Sequence, residues 1–156
     1  MLKRLVRLLS NSYTIHVNGK PAPQGSKKVQ RYVNGRAILC ESSPNVMPWR
    51  ALVAGKAKRL LPEGWHATLP MSLSVTFIFP RPKADFKANG DLKNTAPSFC
   101  IKRIGDIDKL LRAICDALTG VAFDDDCQVF SIQAERRYAV GNEQPSAIIT
   151  VTSINV

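Results

Sequence analysis

Apolar and polar residues recur with two different periods along the chain, and the period separates strands from helices. Strict alternation is typical of strands, whose successive side chains face opposite sides of a sheet. It predicts four strands, at 13–17, 71–79, 128–139 and 147–155. Apolar residues three or four positions apart indicate one buried face of a helix. They predict two helices, at 45–61 and 108–118.

This element order favours a two-layer α+β fold, because two helices are too few to cover both faces of a parallel sheet. We expect a mixed sheet of about four strands with both helices packed on one face. The strands at 128–139 and 147–155 flank Gly141-Asn142 and are predicted to form an antiparallel hairpin. We expect one domain over 13–156, preceded by a short basic extension at 1–12.

Each helix has a predicted buried stripe. In the first helix the stripe comprises Val46, Trp49, Leu52, Val53, Leu60 and Leu61. In the second it comprises Ile107, Leu110, Leu111, Ile114, Ala117 and Leu118. Between Pro80 and Gly105 no periodicity survives, and such a long segment is usually either functional or disordered. We expect it to order on a ligand or to remain disordered.

Charge narrows the class of partner. The 156 residues carry a formal net charge of +10, which favours a polyanion. No apolar run is long enough for a membrane span, and Arg7 interrupts the N-terminal apolar run, which argues against a signal peptide. The four cysteines show no metal-binding spacing, so we expect free thiols in a reducing cytoplasm.

One acidic segment interrupts this basic chain. Residues 106–126 hold six of the twelve acidic residues against only Lys109 and Arg112, a net charge of −4, which leaves +14 on the rest. Crowded carboxylates repel one another, and a hard divalent cation would relieve that repulsion. The segment therefore indicates a Mg²⁺ site, which could activate a water for attack on a phosphodiester. The alternative is a set of helix caps and turn residues with nothing bound.

The same segment resembles the RusA family of Holliday junction resolvases, common in bacteriophages and prophages. The resemblance rests on a dense pattern of residue types, namely Asp106-Ile-Asp108-Lys-Leu110, Asp116-Ala-Leu-Thr-Gly120 and Asp125-Asp126-Cys-Gln128-Val129. A weaker match lies at 19–26, which contains Pro23-Gln24-Gly25-Ser26.

The resemblance implies a set of site residues. It assigns Asp106, Asp108 and Asp126 as ligands of Mg²⁺, for which Mn²⁺ could substitute. Arg112 stands where other members have a catalytic Lys, and Arg keeps the charge but cannot give up a proton, so we expect an electrostatic role. The resemblance also implies cleavage of branched DNA, specifically four-way junctions, by a homodimer in the cytoplasm of a bacterial host.

Basic residues outside the acidic segment are candidates for DNA contacts. The polar stretch 24–36 is predicted to be a phosphate-binding loop or hairpin, in which Tyr32 could stack on a base. The candidate DNA-binding residues are Lys27, Lys28, Arg31, Lys102 and Arg103. The alternative for 24–36 is a solvated loop.

Two other functions stay open on the sequence alone. A non-catalytic basic DNA-binding protein would use the acidic cluster only structurally. A nucleotidyl transferase would bind a nucleotide through the D-x-D motif, although the chain lacks a Gly-rich phosphate loop before a helix.

Overall fold

The computed structural model describes residues 10–41, 43–101 and 105–155. These residues form six strands and two helices. In chain order they are β1 (Ser10–Asn18), β2 (Lys27–Val33), β3 (Arg36–Glu41), α1 (Val46–Leu60), β4 (Met71–Phe79), α2 (Ile107–Leu118), β5 (Val129–Tyr138) and β6 (Ser146–Ile154). Two 3₁₀ turns, Lys83–Asp85 and Asp126–Gln128, lie before and after α2.

Four of the strands form the main sheet in the order β1-β6-β4-β5. β6 is antiparallel to both of its neighbours, whereas β4 and β5 are parallel. The strands β2 and β3 form a separate two-stranded hairpin. The predicted α+β class with a four-stranded mixed sheet is confirmed.

The predicted pairing of the last two strands with each other is wrong. β4 lies between them: Val75 pairs with Ala134 on one side and with Ile149 on the other. The connection from β4 through α2 is a crossover, which returns the chain to the same end of the sheet and makes β5 parallel to β4. The chain then passes the end of β4, where Ala139 N donates to Phe79 O at 2.8 Å, before β6 begins.

The core lies on one face of this sheet. Tyr13, Ile15 and Val17 of β1 are buried while the residues between them are exposed, and β4 and β6 alternate in the same sense. Both helices pack on the buried face and against each other, which makes the second layer. Phe77, Ile78 and Phe79 are all buried, as expected at the end of a central strand.

Both helices begin and end within one residue of the prediction. The prediction that Leu52 and Leu60 are buried is wrong. Leu52 and Leu60 are 52% and 42% exposed, and Ala57 is buried instead. α1 therefore buries a narrower stripe than its apolar residues suggest. In α2, Ile107 of the predicted buried stripe is 36% exposed, and Ala113 joins the core instead.

The segment after β4 has a defined conformation in its described part. Arg81 lies over the Tyr138 ring, 4.5 Å from its centroid, and donates to Pro97 O at 2.9 Å. Phe86 and Leu92 form an isolated bridge, and Lys93 N donates to Asp85 O at 2.8 Å. The expectation of an unstructured segment is wrong for 80–101.

At the N-terminus β1 already includes residues 10–12 of the predicted extension, and residues 1–9 lie outside the described part. No helix in the described ranges is long and apolar enough to cross a membrane. All four cysteines are free.

Candidate active site

Asp106 and Asp108 lie at the start of α2. Asp106 is the N-cap residue, and its carbonyl oxygen accepts from Lys109 N and Leu110 N, each at 3.1 Å. Its carboxylate does not cap the helix but accepts from Lys109 Nζ at 2.8 Å. Asp108 is exposed in the first turn. Both carboxylates thus lie at the positive end of the helix dipole, which stabilises negative charge.

Lys109 forms an ion pair with Asp106. Its hydrogen bond and its positive charge hold the pKa of the Asp106 carboxyl below the ordinary value, and Arg136 adds a smaller effect in the same direction. The same pair raises the pKa of Lys109. At neutral pH the pair is fully ionised, so Asp106 has the protonation state that a metal ligand requires.

The backbone before Asp106 is held from two sides. Gly105 has a φ of +105°, and a Cβ built on it would lie 2.6 Å from Pro23 Cγ. From the other side, Arg136 Nη1 of β5 donates to Gly105 O. A side chain at position 105 would therefore collide with Pro23, and only glycine fits this contact.

The segment around Gln24 fixes α2 along its length. Gln24 N donates to Lys109 O at 3.0 Å, and its side-chain amide donates to Asp116 Oδ2 at 2.7 Å. Arg50 of α1 lies 3.5 Å from the same Asp116 oxygen. Asp116 therefore serves to join α1, α2 and the loop before β2, which is a structural role.

The acidic triplet forms the turn between α2 and β5. Asp125 accepts from Cys127 N at 2.8 Å, and Gln128 Oε1 accepts from Asp125 N at 2.8 Å, a reciprocal capping box. The hydrogen bond from Cys127 lowers the pKa of Asp125. The Gln128 amide also donates to Ala67 O and Leu69 O, at 2.7 and 2.9 Å, which anchors the turn to the segment before β4.

Asp126 is exposed and lies near the last turns of α2. Burial raises the pKa of the Cys115 thiol to about 11, and the charges of Asp126 and Asp116 contribute in the same direction. Asp126 is thus within electrostatic range of Cys115. Cys115 is seven residues after Asp108, which corresponds to about 10 Å along the helix axis.

The three predicted ligands lie on two separate elements, two at the start of α2 and the third in the 3₁₀ turn before β5. Asp106 and Asp108 share the start of α2, whereas Asp126 lies beside its later turns. In the ranges 10–41, 43–101 and 105–155 no three Asp, Glu, His or Cys side chains are gathered closely enough to hold a metal. The donor chemistry fits Mg²⁺, since all three are exposed carboxylates, and the ligand set stays a prediction.

The candidate phosphate contacts fall in two places. Arg112 is exposed one turn after Asp108, on the same side of α2. Lys27, Lys28 and Arg31 are exposed on β2, so the polar stretch is a hairpin, one of the two predicted forms. Lys102 and Arg103 lie outside the described residues.

Sequence reasoning missed three residues that build this site. Arg136 is half-buried in a charged run of β5, and nothing in its sequence spacing distinguishes it from a solvated arginine. Gln24 was predicted only as part of a weak resemblance and of the polar stretch 24–36, although it is buried. Trp49 was assigned to the core, but it also lines a cavity next to Gly105.

Comparison with known proteins identifies a family for the chain. No individually curated protein matches the chain. The family model of endodeoxyribonuclease RusA matches residues 18–152, which contain the start of α2, the acidic turn and the whole of the sheet except most of β1 and the end of β6. Family membership implies endodeoxyribonuclease activity. The chain belongs to the RusA endodeoxyribonuclease family.

Proposed function

We propose that the protein is a structure-selective endodeoxyribonuclease that resolves four-way DNA junctions by Mg²⁺-dependent phosphodiester hydrolysis. The observation that carries the proposal is the family match over 18–152 together with two ionisable carboxylates, Asp106 and Asp108, presented at the start of one helix. The net charge of +10 supports a polyanionic substrate.

In this proposal Asp106, Asp108 and Asp126 hold the metal, with Mn²⁺ able to replace Mg²⁺. The bound ion supplies Lewis-acid chemistry, which activates water and neutralises charge on the phosphate. Pro23 and Arg136 constrain the backbone of Gly105, from which Asp106 follows, and this supports a fixed position for Asp106. Arg112 contacts the scissile phosphate and stabilises the charge that develops on it, a role that a guanidinium can perform with two parallel hydrogen bonds.

DNA binding is assigned to two basic groups. Lys27, Lys28 and Arg31 extend away from the core on the exposed hairpin, where they can follow a phosphate backbone. Lys102 and Arg103 directly precede the acidic segment in the chain, which supports a contact close to the cut. The protein acts in the cytoplasm of a bacterial host, on phage or prophage recombination intermediates.

A homodimer completes the proposal, because paired cuts on opposite arms of a junction require two sites related by a two-fold axis. The exposed apolar surface supports a self-association face. It includes Val29 and Leu39 on the hairpin and Met47 on α1, which lie on neighbouring elements.

The test compares a synthetic four-way junction with a linear duplex of the same arm sequence, in Mg²⁺ and in chelator. We expect Mg²⁺-dependent paired nicks in the junction only. Asp108→Asn should bind the junction as tightly as the wild type but cut at least about a hundredfold more slowly, since a metal ligand is lost. Asp124→Asn is the matched control, because Asp124 is exposed in the same acidic turn but is not a proposed ligand.

A second candidate function is DNA binding without catalysis. The observation that favours it is the Lys109 ion pair on Asp106, together with the absence of a gathered three-carboxylate cluster in the described parts of the chain. This candidate predicts junction binding that ignores Mg²⁺ and no cleavage in any divalent metal. Cleavage by Asp108→Asn at the wild-type rate would refute the metal assignment.

A further inference from the structure

A cavity of about 750 Å³ lies beside the candidate active site. It is bounded by the loop that follows β1, the N-terminal half of α1, the end of β4 and Gly105. Residues that line it include Lys20, Pro23, Asn45, Trp49, Leu52 and Gly105. Its volume is within the range of pockets that bind small organic molecules.

The walls and the rim of the cavity differ in chemistry. Proline rings, Leu52 and the Trp49 indole make the walls apolar and partly aromatic. Trp49 is 2% exposed, and its Nε1 has no hydrogen-bond partner among the described residues. A buried donor without a partner is costly unless a ligand or water satisfies it.

Two polar groups at the rim are available to a ligand. Asn45 precedes α1 but its side chain makes no capping hydrogen bond, and Lys20 is exposed. An amide can accept and donate to the edge of a base, and a lysine can pair with a phosphate. A flat, mostly apolar group with a polar edge and an attached anion fits this combination, which describes a nucleotide.

The position of the cavity connects it with the proposed chemistry. Gly105 lines the cavity and is followed directly by Asp106, so the two Cα atoms are about 3.8 Å apart. This adjacency allows a nucleotide whose base occupies the cavity to place its phosphate near Asp106. Extraction of a base from a duplex costs free energy, and it is least costly for a base that is already unpaired.

We propose that this cavity receives one unpaired base of the bound DNA, adjacent to the scissile phosphate, and thereby sets the base preference of cleavage. The inference rests on the proposed function for its substrate. It extends that function by naming a second binding site and what the site selects.

Leu52 and Leu60 provide a matched pair for the test. Both are exposed leucines of α1, at 52% and 42%, but only Leu52 lines the cavity. Leu52→Trp should fill the mouth of the cavity without disturbing the core, and Leu60→Trp adds the same side chain outside it. Thermal unfolding should show the two variants to be equally folded.

The first measurement is photocrosslinking in Ca²⁺ of junctions that carry 5-iododeoxyuridine at successive positions around the branch point, followed by peptide mapping. We expect one position to crosslink to Trp49, identified as the modified residue, and Leu52→Trp to lower the yield at Trp49 about tenfold, the size of a lost base stacking contact. Leu60→Trp should crosslink like the wild type.

The second measurement is the cleavage rate in Mg²⁺ over a set of junctions that differ at that position. Leu52→Trp should reduce the wild-type base preference, whereas Leu60→Trp should retain it. Crosslinks only to the β2–β3 hairpin, or equal behaviour of the two tryptophan variants, would overturn the cavity proposal. A Trp49 crosslink in a protein that never cuts would support the cavity and refute the nuclease.

Discussion

Replacement of Gly105 by alanine is the sharpest test of how the structure orients Asp106. Gly105 has a φ of +105°, a region that residues with a Cβ rarely adopt. It also packs against Pro23, so that a Cβ would lie 2.6 Å from Cγ and 2.7 Å from Cβ of the proline ring. The substitution therefore introduces backbone strain and a steric clash together.

The two effects can be given separate magnitudes. Backbone strain at a positive φ costs on the order of 1–3 kcal/mol. Forcing an extra methyl group into a packed contact costs about 1–3 kcal/mol more. Gly105→Ala should thus lower the free energy of unfolding by roughly 2–6 kcal/mol, against a total of about 5–15 kcal/mol for a typical domain.

Gly90→Ala separates the two effects. Gly90 has a similar φ of +89°, but nothing lies within 4 Å of the position that its Cβ would occupy. Urea unfolding should show a loss for Gly105→Ala that exceeds the loss for Gly90→Ala by about 1–3 kcal/mol. In a double-mutant cycle, Pro23→Gly should recover most of that difference, because it removes the atoms that clash.

The cleavage rates of the two alanine variants should fall in the same order as their stabilities. If Asp106 is a metal ligand, Gly105→Ala should reduce Mg²⁺-dependent cleavage more than junction binding, since a displacement of about 1 Å at a catalytic group can cost a hundredfold in rate. Gly90→Ala should cleave normally. Equal stability losses for the two alanine variants, or no recovery with Pro23→Gly, would refute the steric argument.

Two further predictions concern charge. Arg137 donates to both Glu143 carboxylate oxygens, at 2.6 and 2.8 Å, and lowers the pKa of Glu143 from 4.5 to about 2. The stability that this ion pair contributes is therefore present above pH 4.5 and is lost as the pH falls towards 2. Urea midpoints of wild type and Glu143→Gln should therefore differ at pH 7 and converge near pH 2; a constant difference would contradict this. Lys28→Ala and Arg31→Ala should each reduce the slope of log K against log salt for junction binding by about one, whereas Lys58→Ala on α1 should leave the slope unchanged.

Much of the fold was predictable because burial follows the period of the apolar residues. Both helices and all four strands of the main sheet appear where their periods place them. The strand order was not predictable from the same signal. Alternation shows which side chains of β5 and β6 face the core, but it does not show that β4 inserts between them, because pairing is decided by the crossover through α2.

The exposed leucines of α1 show a second limit of prediction from periodicity. Leu52 and Leu60 have the helical spacing of core residues, yet the sheet covers only the stripe that contains Val53 and Ala57. Periodicity gives the orientation of a helix but not the width of the surface that covers it. For the same reason Gln24 and Arg136 were not predicted as site residues, since each acts by a long-range hydrogen bond to a backbone carbonyl.

The crowding of acidic residues turns out to be a weaker argument for a metal than the sequence suggests. Asp106 pairs with Lys109, Asp116 pairs with Arg50 and accepts from Gln24, and Asp125 accepts from Cys127 N in its own turn. These contacts relieve half of the carboxylates in the segment without any bound cation. The case for Mg²⁺ therefore depends on family membership and on two exposed carboxylates, Asp108 and Asp126. Asp108 lies one turn before Arg112 on α2, and Asp126 lies in the turn after α2, within electrostatic range of Cys115. It follows that Asp108→Asn and Asp126→Asn should impair cleavage with little effect on stability, whereas Asp116→Asn should impair stability first.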